Sequence, residues 1–136
     1  MQNKINLGII GKNFGYHVIY KSFLKNKKYK IKGFSFKENC PDVRNTKIAD
    51  TVDELLRLGF HVDIHDPWVD KNEVYKEYGY TLIEEIADGY DALLLAVSHD
   101  QYTKLSPETI KSYLKDNSII YDLKSILKKE DSDLRL

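Results

Sequence analysis

The sequence has one cysteine, three prolines and one methionine in 136 residues, and no acidic residue before Glu38. A single cysteine excludes an internal disulfide and suits a reducing compartment. No apolar run approaches the ~20 residues that a membrane-spanning helix needs. The opening Met-Gln-Asn-Lys-Ile-Asn lacks the long apolar core and small-residue cleavage site of a signal peptide, so a cytoplasmic protein without a membrane anchor is expected. Internal repeats and low-complexity linkers are also missing. What remains is a length suited to one domain over residues 1–136, a hydrophobic content of 42% that can form a core, and a charged content of 31% for a solvated surface.

The net charge is zero but unevenly spread. Residues 1–37 carry nine lysines and no acid, whereas residues 38–136 carry twelve Lys and Arg against twenty-one Asp and Glu. Such asymmetry marks either a surface for anions or a solvated lysine-rich helix and turn. No aromatic platform is interleaved with the lysines, so no nucleic-acid partner is expected.

Strand and helix patterns alternate. Lys4 to Gly11 reads as a buried strand entering a glycine turn, and Phe14 to Leu24 has the apolar spacing of a helix. Tyr29 to Phe36 reads as a second strand. Thr46 to Leu58 is the clearest helix, with Asn45 as its cap, Ile48, Val52, Leu55 and Leu56 on one face, and Gly59 ending it. Phe60 to His65 is a third strand, stopped by Asp66-Pro67. Lys71 to Tyr78 reads as a short helix and Leu82 to Ala87 as another. The apolar run Asp91 to Val97 has the character of a central parallel strand covered on both faces. Ser106-Pro107-Glu108 opens a helix carrying Ile110 and Leu114 inward. Ser118 to Asp122 is the last strand, and the charged tail from Lys128 is expected to fray. The fold expected is α/β: a three-layer Rossmann-like sandwich with a mainly parallel sheet of about five strands.

Ligands of such sheets collect beyond the C-terminal ends of the strands. The residues there are Gly11 to Gly15, Phe36 to Arg44, His65-Asp66-Pro67, Ser98-His99-Asp100 and Asp122-Leu123-Lys124. Gly8-Ile9-Ile10-Gly11-Lys12-Asn13-Phe14-Gly15 is similar to a dinucleotide fingerprint, making Gly11 and Gly15 weak cofactor-binding candidates. However, Asn13 replaces the middle glycine, and the acid expected ~20 residues on is absent. A tight strand-to-helix turn accounts for these glycines equally well. His61 and His65 are separated by roughly 13 Å on a strand, too far to share one metal ion. Ser98, His99 and Asp100 are adjacent and cannot fold back into a catalytic triad; helix capping and turn formation account for them. Cys40 has no histidine near it in sequence and reads as a loop thiol.

Phe36, Lys37 and Arg44 are the strongest candidates. An aromatic ring at the strand end can pack on a base or sugar, and Lys37 supplies a mobile charge at the sheet mouth. Arg44 precedes a helix N-terminus, where backbone donors and the dipole favour phosphate, and its planar fork can hold two phosphate oxygens. The alternative leaves Lys37 solvated and pairs Arg44 with Asp42 or Glu38. Spacing does not choose between them.

Gly33-Phe34-Ser35-Phe36-Lys37-Glu38-Asn39-Cys40-Pro41-Asp42-Val43-Arg44-Asn45-Thr46-Lys47 resembles the signature opening the C-terminal, UDP-binding domain of the UDP-glucose/GDP-mannose dehydrogenase family. Val62 to Asp70, Glu77-Tyr78-Gly79, Tyr90 to Asp100 and Ile120 to Leu127 follow in the family's order, so the resemblance spans residues 30 to 136. The form Glu-Asn-Cys-Pro-Asp-Val-Arg-Asn-Thr is most similar to members acting on UDP-N-acetylhexosamines for surface polysaccharides. The resemblance implies oxidation of a sugar C6 alcohol to a carboxylate with two NAD. It implies contact of Phe36 and Lys37 with UDP or a UDP-sugar, and reach of Arg44 toward NAD on another domain. The family's NAD domain, catalytic cysteine and lysine have no counterpart here. The resemblance therefore implies no catalytic residue in this chain, no tight NAD binding by it alone, and a separate catalytic chain as a possible partner. Residues 1–29 resemble instead the first βα unit of Gfo/Idh/MocA oxidoreductases, as in a chimera fused near the basic-to-acidic switch. A different reading is a non-catalytic scaffold retaining the fold only.

Overall fold

A computed structural model describes residues 28–35 and 37–135. The expected first strand and helix, with Gly11 and Gly15, and the candidate Phe36 lie outside the described residues. Among the described residues five strands form one all-parallel sheet in the order β2-β1-β3-β4-β5: β1 (Lys28–Lys32), β2 (His61–His65), β3 (Tyr90–Leu95), β4 (Leu114–Asp122) and β5 (Leu134–Arg135). The helices are α1 (Lys47–Arg57), α2 (Lys71–Tyr78), α3 (Asp100–Thr103) and α4 (Pro107–Ser112), with a 3-10 turn at Lys129–Asp131.

β3 shows why the layers form. Alternate side chains of a strand face opposite sides. Ala92 and Leu94 join a core with Ile31, Val52, Leu55, Val74 and Tyr121 on the α1 and α2 side. Leu93 and Leu95 join Ile110, Ile120 and Leu127 in a second core on the α4 side. Both faces are thus covered, as a continuous apolar run requires. Lys32 is also fully buried. Its ammonium lies 4.8 Å from the Tyr102 ring centroid and 4.9 Å from that of Tyr113, a cation–π sandwich.

Several expectations are corrected. β1 stops at Lys32 rather than Phe36, because Gly33 turns the chain at φ +93°. The cap of α1 is Thr46, whose side chain accepts from the Ile48 N–H, while Asn45 adopts a left-handed φ of +57°. Leu56 is 45% exposed; Ala49, Val52 and Leu55 make the buried face. Leu82 to Ala87 is not a helix. Leu82 instead bridges Ile64 in parallel, and the Ile83 N–H donates to the Ile64 carbonyl, so this segment extends the sheet edge. Leu114 begins β4 rather than belonging to α4, and a bulge separates its pairing with Tyr90 from the pairing of Ile119 with Ala92. Part of the charged tail pairs as β5, where the Asp133 side chain accepts from the Ile120 N–H.

Candidate functional site: the crevice at the switch point

The chain runs from β1 outward to β2, then crosses to β3 on the other side of β1. This reversal opens a crevice between the C-terminal ends of β1 and β3, the place where open α/β sheets bind ligands. A cavity of about 300 Å³ occupies that position, lined among others by Ser35, Lys37, Thr46, Lys47, Val97 and Lys124. Three lysines, one acid (Glu38) and the N-terminal turn of α1 therefore border one volume, and its net charge is positive. Charge and helix dipole act in the same direction there and favour an anion such as phosphate. Lys37 is exposed.

The walls are fixed from beneath. At Gly33 the backbone of β1 passes so close to β3 that a Cβ there would lie 2.5 Å from Val97 Cβ. Asp66, buried at the end of β2, accepts through Oδ2 from the Phe34 N–H (2.6 Å), the Ser35 N–H (2.9 Å) and His99 Nε2 (2.9 Å). Its Oδ1 accepts from the Trp68 N–H at 2.8 Å. One carboxylate thus ties together the loops that follow β1, β2 and β3. Burial pushes its pKa up, but the hydrogen bonds from His99, Phe34, Ser35 and Trp68 outweigh that and hold it below the ordinary aspartate value. Asp122 does similar work after β4, accepting from the backbone N–H groups of Lys124, Ile126 and Leu127.

His99 is fully buried and completes this frame. Its Nδ1 accepts from the Asn39 N–H at 2.8 Å, so the ring proton is assigned to Nε2, which donates to Asp66. Ser35 Oγ lies 3.2 Å from the same Nε2 and donates its own proton to the Lys37 carbonyl. Ser35, His99 and Asp66 bring together the residue types of a triad without its geometry. Serine and aspartate meet one ring nitrogen, where a triad needs them on opposite nitrogens. Sequence reasoning assigned the 98–100 stretch to capping and turn formation. His99 does sit at the N-cap position of α3, but its side chain makes no cap bond; the ring spans two loops instead. The signal available was position alone, since Asp66 directly follows β2 and His99 lies in the short loop after β3.

Arg44 lies elsewhere. Its Nε and Nη2 each bind an Asp42 carboxylate oxygen at 3.0 Å, and its side chain is 79% exposed. The guanidinium holds the Asp42 carboxyl down at about 2. Both line a larger flanking groove of about 700 Å³, in which Asp42, Asp70, Glu73 and Glu77 outnumber Arg44 and Lys76. That groove is a poorer receptor for phosphate than the lysine-lined crevice, and Lys37 and Arg44 line different cavities. Because the pair is exposed and screened, Arg44→Ala is expected to leave the thermal midpoint unchanged; a clear drop on a melting curve would show that the pair supports the fold.

His61 and His65 occupy the two ends of β2, and His65 Nδ1 is 3.0 Å from the Tyr102 hydroxyl. Among the described residues no group of three or more His, Cys, Asp or Glu is placed to hold a metal ion, and no helix is long and apolar enough to cross a membrane.

Residues 30–129 match the UDP binding domain of the UDP-glucose/GDP-mannose dehydrogenase family. The chain belongs to that family. It is 50% identical over 107 residues to the UDP-N-acetyl-D-glucosamine 6-dehydrogenase of Salmonella typhi, and 43% identical over 107 residues to the enzyme of that name from Pseudomonas aeruginosa. Each alignment covers 78% of this chain and 25% of the relative, so this member spans about a quarter of the length of the relatives it matches. Among solved structures, the NDP-N-acetyl-D-galactosaminuronic acid dehydrogenase of Methanosarcina mazei Go1 superposes with a TM-score of 0.69 at 24% identity, covering 78% of this chain and 22% of that one, which supports the family's fold. Residues 1–29 lie outside the matched range.

Proposed function

We propose that this domain binds the UDP moiety of a UDP-sugar, of the N-acetylhexosamine class, as one half of the active site of a nucleotide-sugar 6-dehydrogenase. The observation that carries the reading is the crevice at the switch point, bordered by Lys37, Lys47, Lys124 and the start of α1 against the single acid Glu38, a volume suited to a diphosphate. The similarity to UDP-N-acetyl-D-glucosamine 6-dehydrogenases supports the sugar class. In this reading Lys37 pairs with the diphosphate, Phe36 packs on the nucleoside or sugar, and the product is a UDP-uronate for surface polysaccharide, made in the cytoplasm.

NAD binding and hydride transfer belong to polypeptide beyond residues 30–129, in the same or a separate catalytic chain. The groove around Arg44 does not by itself fit a dinucleotide: four carboxylates line it and Asp42 occupies the arginine fork. A role for Arg44 toward NAD therefore requires the fork to leave Asp42. No NAD site is assigned to Gly11 and Gly15.

Titration with UDP, followed by amide NMR, tests the reading. Shifts should cluster at Lys37, Lys47, Val97 and Lys124, and Lys37→Ala should weaken UDP binding by about tenfold, the loss of one charge-assisted hydrogen bond. A spectrum unmoved by millimolar UDP would instead favour a scaffold that keeps only the fold.

A further inference from the structure

We propose that His99 is a positioning residue for the UDP half-site, fixing through its two ring nitrogens the loop that carries Lys37. The inference rests on the function proposed above for its ligand. Four hydrogen bonds define the device. Nε2–H donates to Asp66, which is itself held by the Phe34 and Ser35 amides, and Nδ1 accepts from the Asn39 N–H. The imidazole is therefore a strut between the buried carboxylate and the far end of the Ser35–Asn39 loop. Lys37 lies between these two anchors, and its carbonyl is held by Ser35 Oγ. Asn39 extends the strut to α3: its Nδ2 donates to Asp100 Oδ1 and its Oδ1 accepts from the Asp100 N–H, both at 3.0 Å. Asn39 is held in a left-handed conformation, φ +51°, that few residues other than glycine and asparagine adopt cheaply. A loop bearing the ligand's charge partner is thus held at both ends by buried or reciprocal bonds, the arrangement expected where a mobile lysine must be presented in one place.

Two substitutions separate the two nitrogens. An asparagine side-chain oxygen is as many bonds from the backbone as Nδ1, so His99→Asn keeps an acceptor for the Asn39 amide. A glutamine side-chain nitrogen is as many bonds away as Nε2, so His99→Gln keeps the donor to Asp66 and loses that acceptor. With the full chain at neutral pH, ring-nitrogen NMR of the wild type should show neutral His99 protonated on Nε2, with slow exchange of the Asn39 amide. In His99→Gln the Asn39 amide should exchange about tenfold faster and the UDP dissociation constant should rise about tenfold, with amide dispersion preserved; His99→Asn should restore slow Asn39 exchange but, having lost the donor to Asp66, should still bind UDP more weakly than the wild type. Equal Asn39 exchange in the wild type and His99→Gln, or wild-type UDP affinity in both variants, would overturn the proposal. If neither variant folds, a proton on Nδ1 or a rapidly exchanging Asn39 amide in the wild type would still overturn it. If the wild type ignores UDP, the functional reading falls while the Asn39 exchange contrast still decides the role of His99.

Discussion

Asp66→Ala is expected to destabilise the domain by about 3–5 kcal/mol, the range for removing one side of a buried, fully bonded charge network. The Phe34, Ser35 and Trp68 amides and His99 Nε2 would all lose their acceptor, and the first two and His99 are buried. A domain holds only ~5–15 kcal/mol in total, so the variant should unfold at much lower urea. Asp66→Asn should fall between, since its remaining oxygen can serve the three donors at Oδ2 while its amide faces the Trp68 N–H. The pH dependence has a definite sign. The folded pKa of Asp66 lies below its unfolded value, so its contribution is whole above about pH 4 and is lost as pH falls through the folded pKa. Wild-type stability should decline in that acid window, with a shallower decline in Asp66→Asn. A urea midpoint for Asp66→Ala close to that of wild type would show that the three loops hold together without the carboxylate.

Gly33→Ala should be comparably damaging for a different reason. The residue has φ +93°, and a Cβ would sit 2.5 Å from Val97 Cβ and 2.8 Å from the Val97 backbone nitrogen. Backbone atoms cannot move aside as a flexible side-chain end can. The Gly33 N–H also donates to the His65 carbonyl at 2.9 Å, and the Ala96 N–H to the Lys32 carbonyl at 2.9 Å, so relief by separating the strands would break the sheet at its centre. Overpacking and the disfavoured φ together suggest a loss on the order of 3 kcal/mol or more. Chemical denaturation measures it, and a loss below about 1 kcal/mol would mean that the β1–β3 ends can separate without penalty. By contrast, Gly59, at φ +86° after α1, has open space where a Cβ would go. Alanine there carries the conformational penalty alone.

Much of the fold was legible because its signals are local. Helix α1 has its apolar spacing, its polar N-terminal residues and its closing glycine within one short segment. β3 announces itself as an apolar run too short for a helix and too continuous for a one-sided strand. The C-terminal ends of the strands were legible as the place for a ligand, and Lys37 lines the crevice that the strand order opens there. What stayed hidden depends on partners distant in sequence. Nothing near Asp66 shows that it will accept from Phe34 and Ser35, or that His99 will turn inward rather than cap α3. Leu82 has the apolar character of a helix face, yet it serves Ile64 at the sheet edge. The tail beyond Lys128 looked solvated because its charges are numerous, but Leu134 and Arg135 find an open strand edge and Asp133 an amide to accept. Arg44 was poised between phosphate and its neighbour Asp42, and the nearest carboxylate took its fork.

The strand order also governs how the chain must assemble. Every pairing in the described sheet is parallel, so none is closed by a hairpin, and those of β1 join segments far apart in sequence: Lys28 meets His61, and Tyr29 meets Ala92. β1 cannot gain both neighbours until the chain through β3 exists and has been threaded past it. High contact order of this kind makes folding slow, in the millisecond-to-second range typical of non-local topologies. Until then the Ala92 to Val97 run stands without its cover. Renaturation yield should therefore depend on protein concentration, with dilute refolding recovering chains that crowded refolding loses to aggregation.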